Sequence, residues 1–324
     1  MSARTHHASS ALLALLAISA AVATLGCSCA RKHGAGTSMK PIESSDPAMR
    51  CPAALLSARR GGTEPGRYVV PSEADRVAMG NAAEKLVREG VAARDDVATL
   101  VMTAGFELVD VGELPGVVLL RERESSKRGG GAYLFRIASK SRLFVEAPHT
   151  FFDEGTLPLA CELFQRSLAH ALFIETAHRY KSAIATEDGG FPADVAHSSD
   201  SLYQAVTEGV MRATPNARVV QLHGFAARDA DASIVLSSGE KSKSTLVDRA
   251  QARLVDVLGK GVLRFPEESV ELGATTNVQG DAVRRAGGEF LHVEIVAPLR
   301  RDLLSNPQLR ASFLAALAAA LEGA

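Results

Sequence analysis

The sequence predicts a single α/β domain with a mixed, largely parallel sheet flanked by helices. Two observations carry that reading. From residue 142 onward, short runs of large apolar residues alternate with longer stretches of helical periodicity, the order expected of strands joined by crossover helices. Before that point three strand-like runs crowd together, two of them separated by the turn-like SSKRGGG, the spacing of a hairpin edge.

Element by element, Ser72 and Asp75 form a capping box for a helix over 73–90. Val97, Leu100, Val101 and Ala104 mark a short amphipathic helix. FELVDV (106–111), GVVLLRER (116–123) and AYLFRIA (132–138) are the hairpin-edge strands. RLFVEA (142–147) is a strand ended by Pro148, and Thr156 caps a helix over 156–169. ALFIET (171–176) is a strand, 199–213 a helix, and ARVVQL (217–222) and ASIVLSS (232–238) are strands. A helix over 245–258 and the strand EFLHVEI (289–295) follow, and Asn306-Pro307 opens an Ala- and Leu-rich terminal helix.

A chain of 324 residues, 46% hydrophobic and 23% charged, suits one large domain or two small ones. A net charge of -1, no Trp and 5% aromatic residues give no footprint for nucleic acid, so none is expected as a partner. Residues 1–26 read as an export signal: Arg4, His6 and His7 open it, and ALLALLAISAAVATL (11–25) is too short for a comfortable membrane span. Thr24-Leu25-Gly26-Cys27 resembles the lipobox of bacterial lipoproteins. That implies lipid attachment at Cys27 and an exported, membrane-anchored chain at the bacterial cell envelope, facing periplasm or exterior. A plain secretory signal and an uncleaved anchor are the other readings. Residues 27–71, rich in Gly, Ser, Pro and basic residues, read as a lipid-attached flexible linker, leaving 72–324 as the folded domain. Cys51 and Cys161 remain as an even pair in an oxidising compartment, either bridged or, for Cys161, simply small and buried.

Histidines cluster at strand ends. His149, with Asp153 and Glu154, follows 142–147; His178 and Arg179 follow 171–176; His223 follows 217–222. Ligands of open α/β sheets bind beyond the carboxyl ends of the strands, so these distant residues can converge. Glu294 lies inside the last strand among Leu, Val and Ile, where a carboxylate is costly unless it faces a polar cavity or a metal, and His292 shares its parity.

Five blocks, VEAPHTFFDEGTLPLACELF, ETAHRYK, DVAHSSDSLYQA, VVQLHGF and EFLHVEIVAPLRRDLL, together resemble the zinc amidohydrolases related to carboxypeptidases, especially the N-formylglutamate amidohydrolase and poly-γ-glutamate hydrolase groups. The resemblance spans residues 116–320. It implies a zinc-exopeptidase type of fold and one zinc ion held by His149, a carboxylate of the first block and His223, with Glu294 as general base. Asp153 is taken as the second ligand for its relation to the following helix; Glu154 is the alternative.

Such a set suits the chemistry. Neutral imidazole and carboxylate satisfy zinc, and three protein ligands leave a position for water. Arg179 has the planar fork to clamp a substrate carboxylate, with His178, His197 and Ser199 completing the pocket. The expected activity is zinc-dependent cleavage of an amide bond in a small molecule or short peptide bearing a carboxylate: an N-acyl amino acid, a γ-glutamyl peptide or a cell-wall-type peptide. A catalytically inactive envelope lipoprotein binding a small ligand in the same crevice is the alternative. A serine hydrolase finds no G-x-S-x-G; Ser237-Ser238-Gly239 is the nearest stretch.

Overall fold

The computed structural model describes residues 51–64, 67–182, 190–227 and 232–322. The export signal, Cys27 and the linker as far as residue 50 lie outside the described residues. Alternating apolar residues build a nine-stranded sheet of order β1-β2-β3-β5-β4-β6-β9-β7-β8. Its strands are β1 (Phe106–Asp110), β2 (Val117–Glu122), β3 (Ala132–Arg136), β4 (Leu143–Ala147), β5 (Ala171–Ile174), β6 (Arg218–Phe225), β7 (Ile234–Ser237), β8 (Val262–Arg264) and β9 (Glu289–Val296). The centre, β5-β4-β6-β9, is parallel; β1 to β3 extend it antiparallel on one side, and β7 pairs antiparallel with β9 on the other. The sheet is thus mixed, with its parallel part where ligand sites form.

Each face of the sheet is covered. On one face pack α1 (Ala53–Arg59), α4 (Thr156–Arg166), α6 (Thr245–Leu258), α8 (Ala297–Ser305) and α9 (Pro307–Glu322), which share a core with Val145, Val220, Leu222, Leu291 and Val293. On the other lie α2 (Glu73–Glu89), α3 (Arg94–Thr103), α5 (Leu202–Ala213) and α7 (Val278–Arg285), over Phe144, Val219 and Phe290. The chain leaves β4 through α4 to β5 on one side, then returns through α5 to β6 on the other. A crevice opens where the strand order reverses in this way. Among the described residues no helix is long and apolar enough to cross a membrane.

The linker reading ends too late. Residues 53–59 form α1, with Leu55 and Ala58 buried, and Cys51 is bridged to Cys161 of α4 with Cα atoms 5.3 Å apart. Seven residues are too few to show a helical period, and the Gly- and Arg-rich flanks of this segment look like a tether. Shortness also hid β8, of 3 residues, and α7, of 8, while α8 runs into α9 with only Asn306 between them.

Strand register makes one face change character along its length. Phe144, Val219 and Phe290 lie abreast, then Glu146, Gln221 and His292, and finally His223 beside Glu294. The face therefore runs from apolar to ionisable as it approaches the carboxyl edge. In the middle layer Glu146 is fully buried, accepting hydrogen bonds from Thr207 Oγ1 at 2.8 Å and Gln221 Nε2 at 2.6 Å. Burial pushes its carboxyl up to about 7, and the two hydrogen bonds offset that only in part. Between the ordinary value of 4.5 and about 7 the folded chain holds a proton the unfolded chain has lost, so stability falls as pH rises through this window. Glu146→Gln removes that dependence. In urea unfolding at pH 5 and pH 8, the variant is expected to lose less stability than the parent, by up to about 3 kcal/mol. Identical losses in both proteins would contradict the assignment.

Candidate metal centre

Pro148 ends β4, and the chain turns so that Phe152 N–H and Asp153 N–H both donate to the His149 carbonyl, at 2.9 and 2.7 Å. This turn aims His149 and Asp153 back at the crevice. Gly155, at φ 93°, makes the left-handed step into α4. His223 comes from β6, which runs to Phe225, three residues beyond the predicted end, and so carries the histidine inside the strand. Gly224 next to it is a matter of space: a Cβ there would stand 2.0 Å from Arg300 Nη1. Arg300 of α8 needs that room, because its guanidinium donates to the carbonyls of Glu154 (2.6 Å), Phe225 (3.4 Å) and Ile295. One side chain thus ties together the three segments that bear Asp153, His223 and Glu294.

Three donor atoms meet in the crevice. His149 Nδ1 and His223 Nδ1 are 3.1 Å apart, and Asp153 Oδ2 is 3.5 Å from the first and 3.4 Å from the second. All three residues are buried. The outer nitrogens settle which form the imidazoles take. His149 Nε2 lies 2.8 Å from Asp194 Oδ1, a carboxylate that only accepts, so Nε2 carries hydrogen and Nδ1 presents a lone pair. For His223 the argument starts at the backbone. Gly280 N–H donates to Asn277 Oδ1, so Asn277 Nδ2 donates to Gln221 Oε1 at 2.6 Å, and Gln221 Oε1 in turn accepts from His223 Nε2 at 2.7 Å. His223 Nδ1 is a lone pair as well.

Two lone pairs and a carboxylate oxygen facing one another favour a positive charge between them, and Arg179 Nη1, 3.2 Å from His149 Nδ1, serves only the first of the three. Asp153 Oδ2 has no hydrogen bond among the described residues. A proton is one answer: burial drags His149 down, yet the nearby Asp153 and Asp194 carboxylates leave it raised above the ordinary histidine value. A metal ion is the other, and the two separations from Asp153 Oδ2 fit it, that between the two Nδ1 atoms, 3.1 Å, being slightly shorter. Tetrahedral zinc with bonds of about 2.0–2.2 Å separates its ligand atoms by about 3.3–3.6 Å. Metal binding at such a site displaces the proton. Against burial, which would raise it, contacts with His149 and His223 hold Asp153 well below the usual carboxylate range. Burial pushes His223 down to about 4, so it stays neutral. The outer partners, Asp194 and Gln221, are the kind that fix ring orientation around a metal.

Glu294 and His292 stand beside this triangle. A carboxylate oxygen of Glu294 and ring nitrogens of His223 and His292 lie within 4.8 Å of one another. Glu294 Oε2 is buried without a hydrogen-bond partner among the described residues, and its carboxyl is pushed up to about 8, by burial first and by Asp153 second. Arg300 bonds backbone carbonyls and not this carboxylate.

The structure brings His149, Asp153, His223 and Glu294 together. Glu154, the alternative second ligand, is exposed. Arg179 is next to the triangle, with Nη1 3.2 Å from His149 Nδ1, but its Nη2 is bonded to Asp194 Oδ2, so a protein carboxylate already engages the fork. His197 is half-exposed, 3.2 Å from Asp194 Oδ1. His178 stands outside the triangle: its Nδ1 accepts from Tyr180 N–H at 3.2 Å and its ring meets Phe152. Ser199 is exposed. Sequence reasoning missed Asp194. It takes the histidine from DVAHSS and passes over the acid three residues earlier, whose position in the same block was the available signal.

Fold and site define an α/β protein with three buried donor atoms gathered at the carboxyl edge of its sheet, a group that could hold a metal ion. No family model matches the chain, and no curated protein matches it. Several solved structures resemble it at low identity. A gene product of Agrobacterium tumefaciens is 17% identical with a TM-score of 0.40, over 57% of this chain and 89% of that one. An N-formylglutamate amidohydrolase from Ralstonia eutropha JMP134 is 13% identical with a TM-score of 0.37, over 57% and 94%. A metallo-carboxypeptidase from Burkholderia cenocepacia is 14% identical with a TM-score of 0.37, over 67% and 65%. Similarity this slight carries no argument about activity, which rests on the chain's own residues.

Proposed function

We propose that this chain is a zinc-dependent hydrolase that cleaves an amide bond in a small substrate bearing a carboxylate, an N-acyl amino acid or a γ-glutamyl or cell-wall-type peptide. The observation that carries the reading is the triangle of His149 Nδ1, Asp153 Oδ2 and His223 Nδ1 with the unpartnered Glu294 carboxyl beside it. His149, Asp153 and His223 would hold the metal. Once bound, it supplies the positive charge that acidifies water and polarises a carbonyl.

The remaining work belongs to the chain. Burial favours the protonated form of Glu294; beside the charge of a bound metal it would be drawn back to the carboxylate, which accepts a proton from the attacking water and returns it to the leaving nitrogen. Asp194 and Gln221 keep both imidazoles in the ligating form. Arg179, partly exposed and with one N–H of Nη1 at His149 and one of Nη2 at Asp194, offers a further N–H of its fork to a substrate carboxylate, with His178 and His197 nearby. Export and lipid attachment at Cys27 belong to the same reading. They are supported by the apolar run before Thr24-Leu25-Gly26-Cys27 and by the Cys51–Cys161 bridge, a bond that lasts in oxidising compartments.

Metal analysis of the purified chain tests the proposal. About one zinc per chain is expected after dialysis, His223→Ala should lose it, and the parent should hydrolyse members of an N-acyl amino acid panel. A chain that takes up no zinc overturns the reading. Bound zinc with no hydrolysis across the panel favours the inactive binder instead.

A further inference from the structure

The chain has twelve Phe, four Tyr and no Trp. Among the described residues the exposed aromatic side chains are Phe152, Tyr180 and Phe191, at 44%, 37% and 38%. All three belong to one cluster. The Phe152 and Tyr180 ring centroids are 5.1 Å apart, as are those of Tyr180 and Phe191, and the His178 ring is 5.9 Å from both Phe152 and Tyr180. Each exposed ring is tied in sequence to the site: Phe152 precedes Asp153, Tyr180 follows Arg179, and Phe191 lies three residues before Asp194. Arg179 joins patch and centre in space. Its Cζ lies 5.5 Å from the Phe152 ring and 5.1 Å from the Tyr180 ring, while its Nη1 is 3.2 Å from His149 Nδ1.

We infer that Phe152, Tyr180 and Phe191 form a subsite that takes an aryl or comparably bulky apolar group of the ligand, beside the carboxylate- or amide-bearing part held at the centre. Leaving large rings in water is unfavourable, and among the described residues the exposed rings gather beside Arg179, at the edge of the polar centre. A patch of three rings is small for a protein interface, whereas apolar walls around a few convergent polar groups are what a small-ligand site presents. Arg179, lying against two of the rings and bonded to Asp194, keeps the apolar wall and the polar centre in a fixed relation. The inference deepens the proposed function by naming the kind of group the substrate carries, and so it rests on that reading.

The test uses binding, which does not depend on turnover. Phenylacetate and acetate are titrated calorimetrically into the zinc-loaded full chain. Phenylacetate should bind tighter by a factor on the order of ten. In Phe152→Leu/Phe191→Leu that preference should shrink to roughly twofold, with zinc content and melting temperature retained; the single variants serve if the double variant does not fold. Equal affinity for the two carboxylates, binding of neither, or a preference untouched by the substitutions overturns the subsite and leaves the rings to a partner surface. Failure of amide hydrolysis alone, with the aryl preference intact, would count against the catalytic reading and not against this one.

Discussion

Glu294→Gln is expected to keep its zinc and its fold while losing turnover by a factor on the order of 10²–10⁴. The side chain is buried and Oε2 has no hydrogen bond among the described residues, so an amide fits the same space without breaking a bond at that atom. Only the basicity is lost. Asp153→Asn supplies the contrast. Asp153 Oδ2 is one corner of the donor triangle, and an amide is a poor zinc ligand, so metal should leave together with activity. Zinc per chain and turnover, measured on both variants, separate the roles. If Glu294→Gln lost zinc as readily as Asp153→Asn, Glu294 would be a ligand; if it kept zinc and full activity, the proton transfer would lie elsewhere.

Removing the Cys51–Cys161 bridge by a double Ser substitution should lower stability by about 2–5 kcal/mol, the range typical of a native disulfide. Its sequence separation of 110 residues closes a long loop, for which chain entropy alone suggests nearly 5 kcal/mol, discounted by structure left in the unfolded chain. Guanidinium unfolding of parent and variant measures it. An unchanged midpoint would mean that α1 stays docked by Leu55 and Ala58 without help. The bridge also joins α1 to the helix that begins three residues after Asp153, so loosening it should weaken metal retention.

Much of this was legible because its signals were local. The capping box at Ser72, where Ser72 Oγ accepts from Asp75 N–H and Asp75 Oδ2 from Ser72 N–H, could be read directly. So could the turn bearing His149 after β4 and the odd carboxylate within β9, whereas His223, read as following its strand, lies inside β6. What escaped depends on side chains reaching across the fold. Asp194 matters because His149, 45 residues away, donates to it. Gln221 reads as one polar residue in a buried strand until Asn277, 56 residues on, fixes its amide. Arg179 reads from sequence as a clamp for a substrate carboxylate, and the structure shows its fork already bonded to Asp194. α1 was lost for the opposite reason, since its flanks look like linker and its length is below what periodicity can resolve.

The strand order has a consequence for synthesis on the ribosome. β9 lies between β6 and β7, so until residue 296 has emerged neither of those strands has its neighbour on that side, and β7 with β8 forms a separate parallel ladder. A domain folds as a unit. His149, Asp153 and His223 all precede β9 in the chain, whereas Arg300, which ties their segments together, follows it. One late strand thus closes the sheet and sets Glu294 beside His223 in the same step, so the crevice is complete only when the last quarter of the chain is in place.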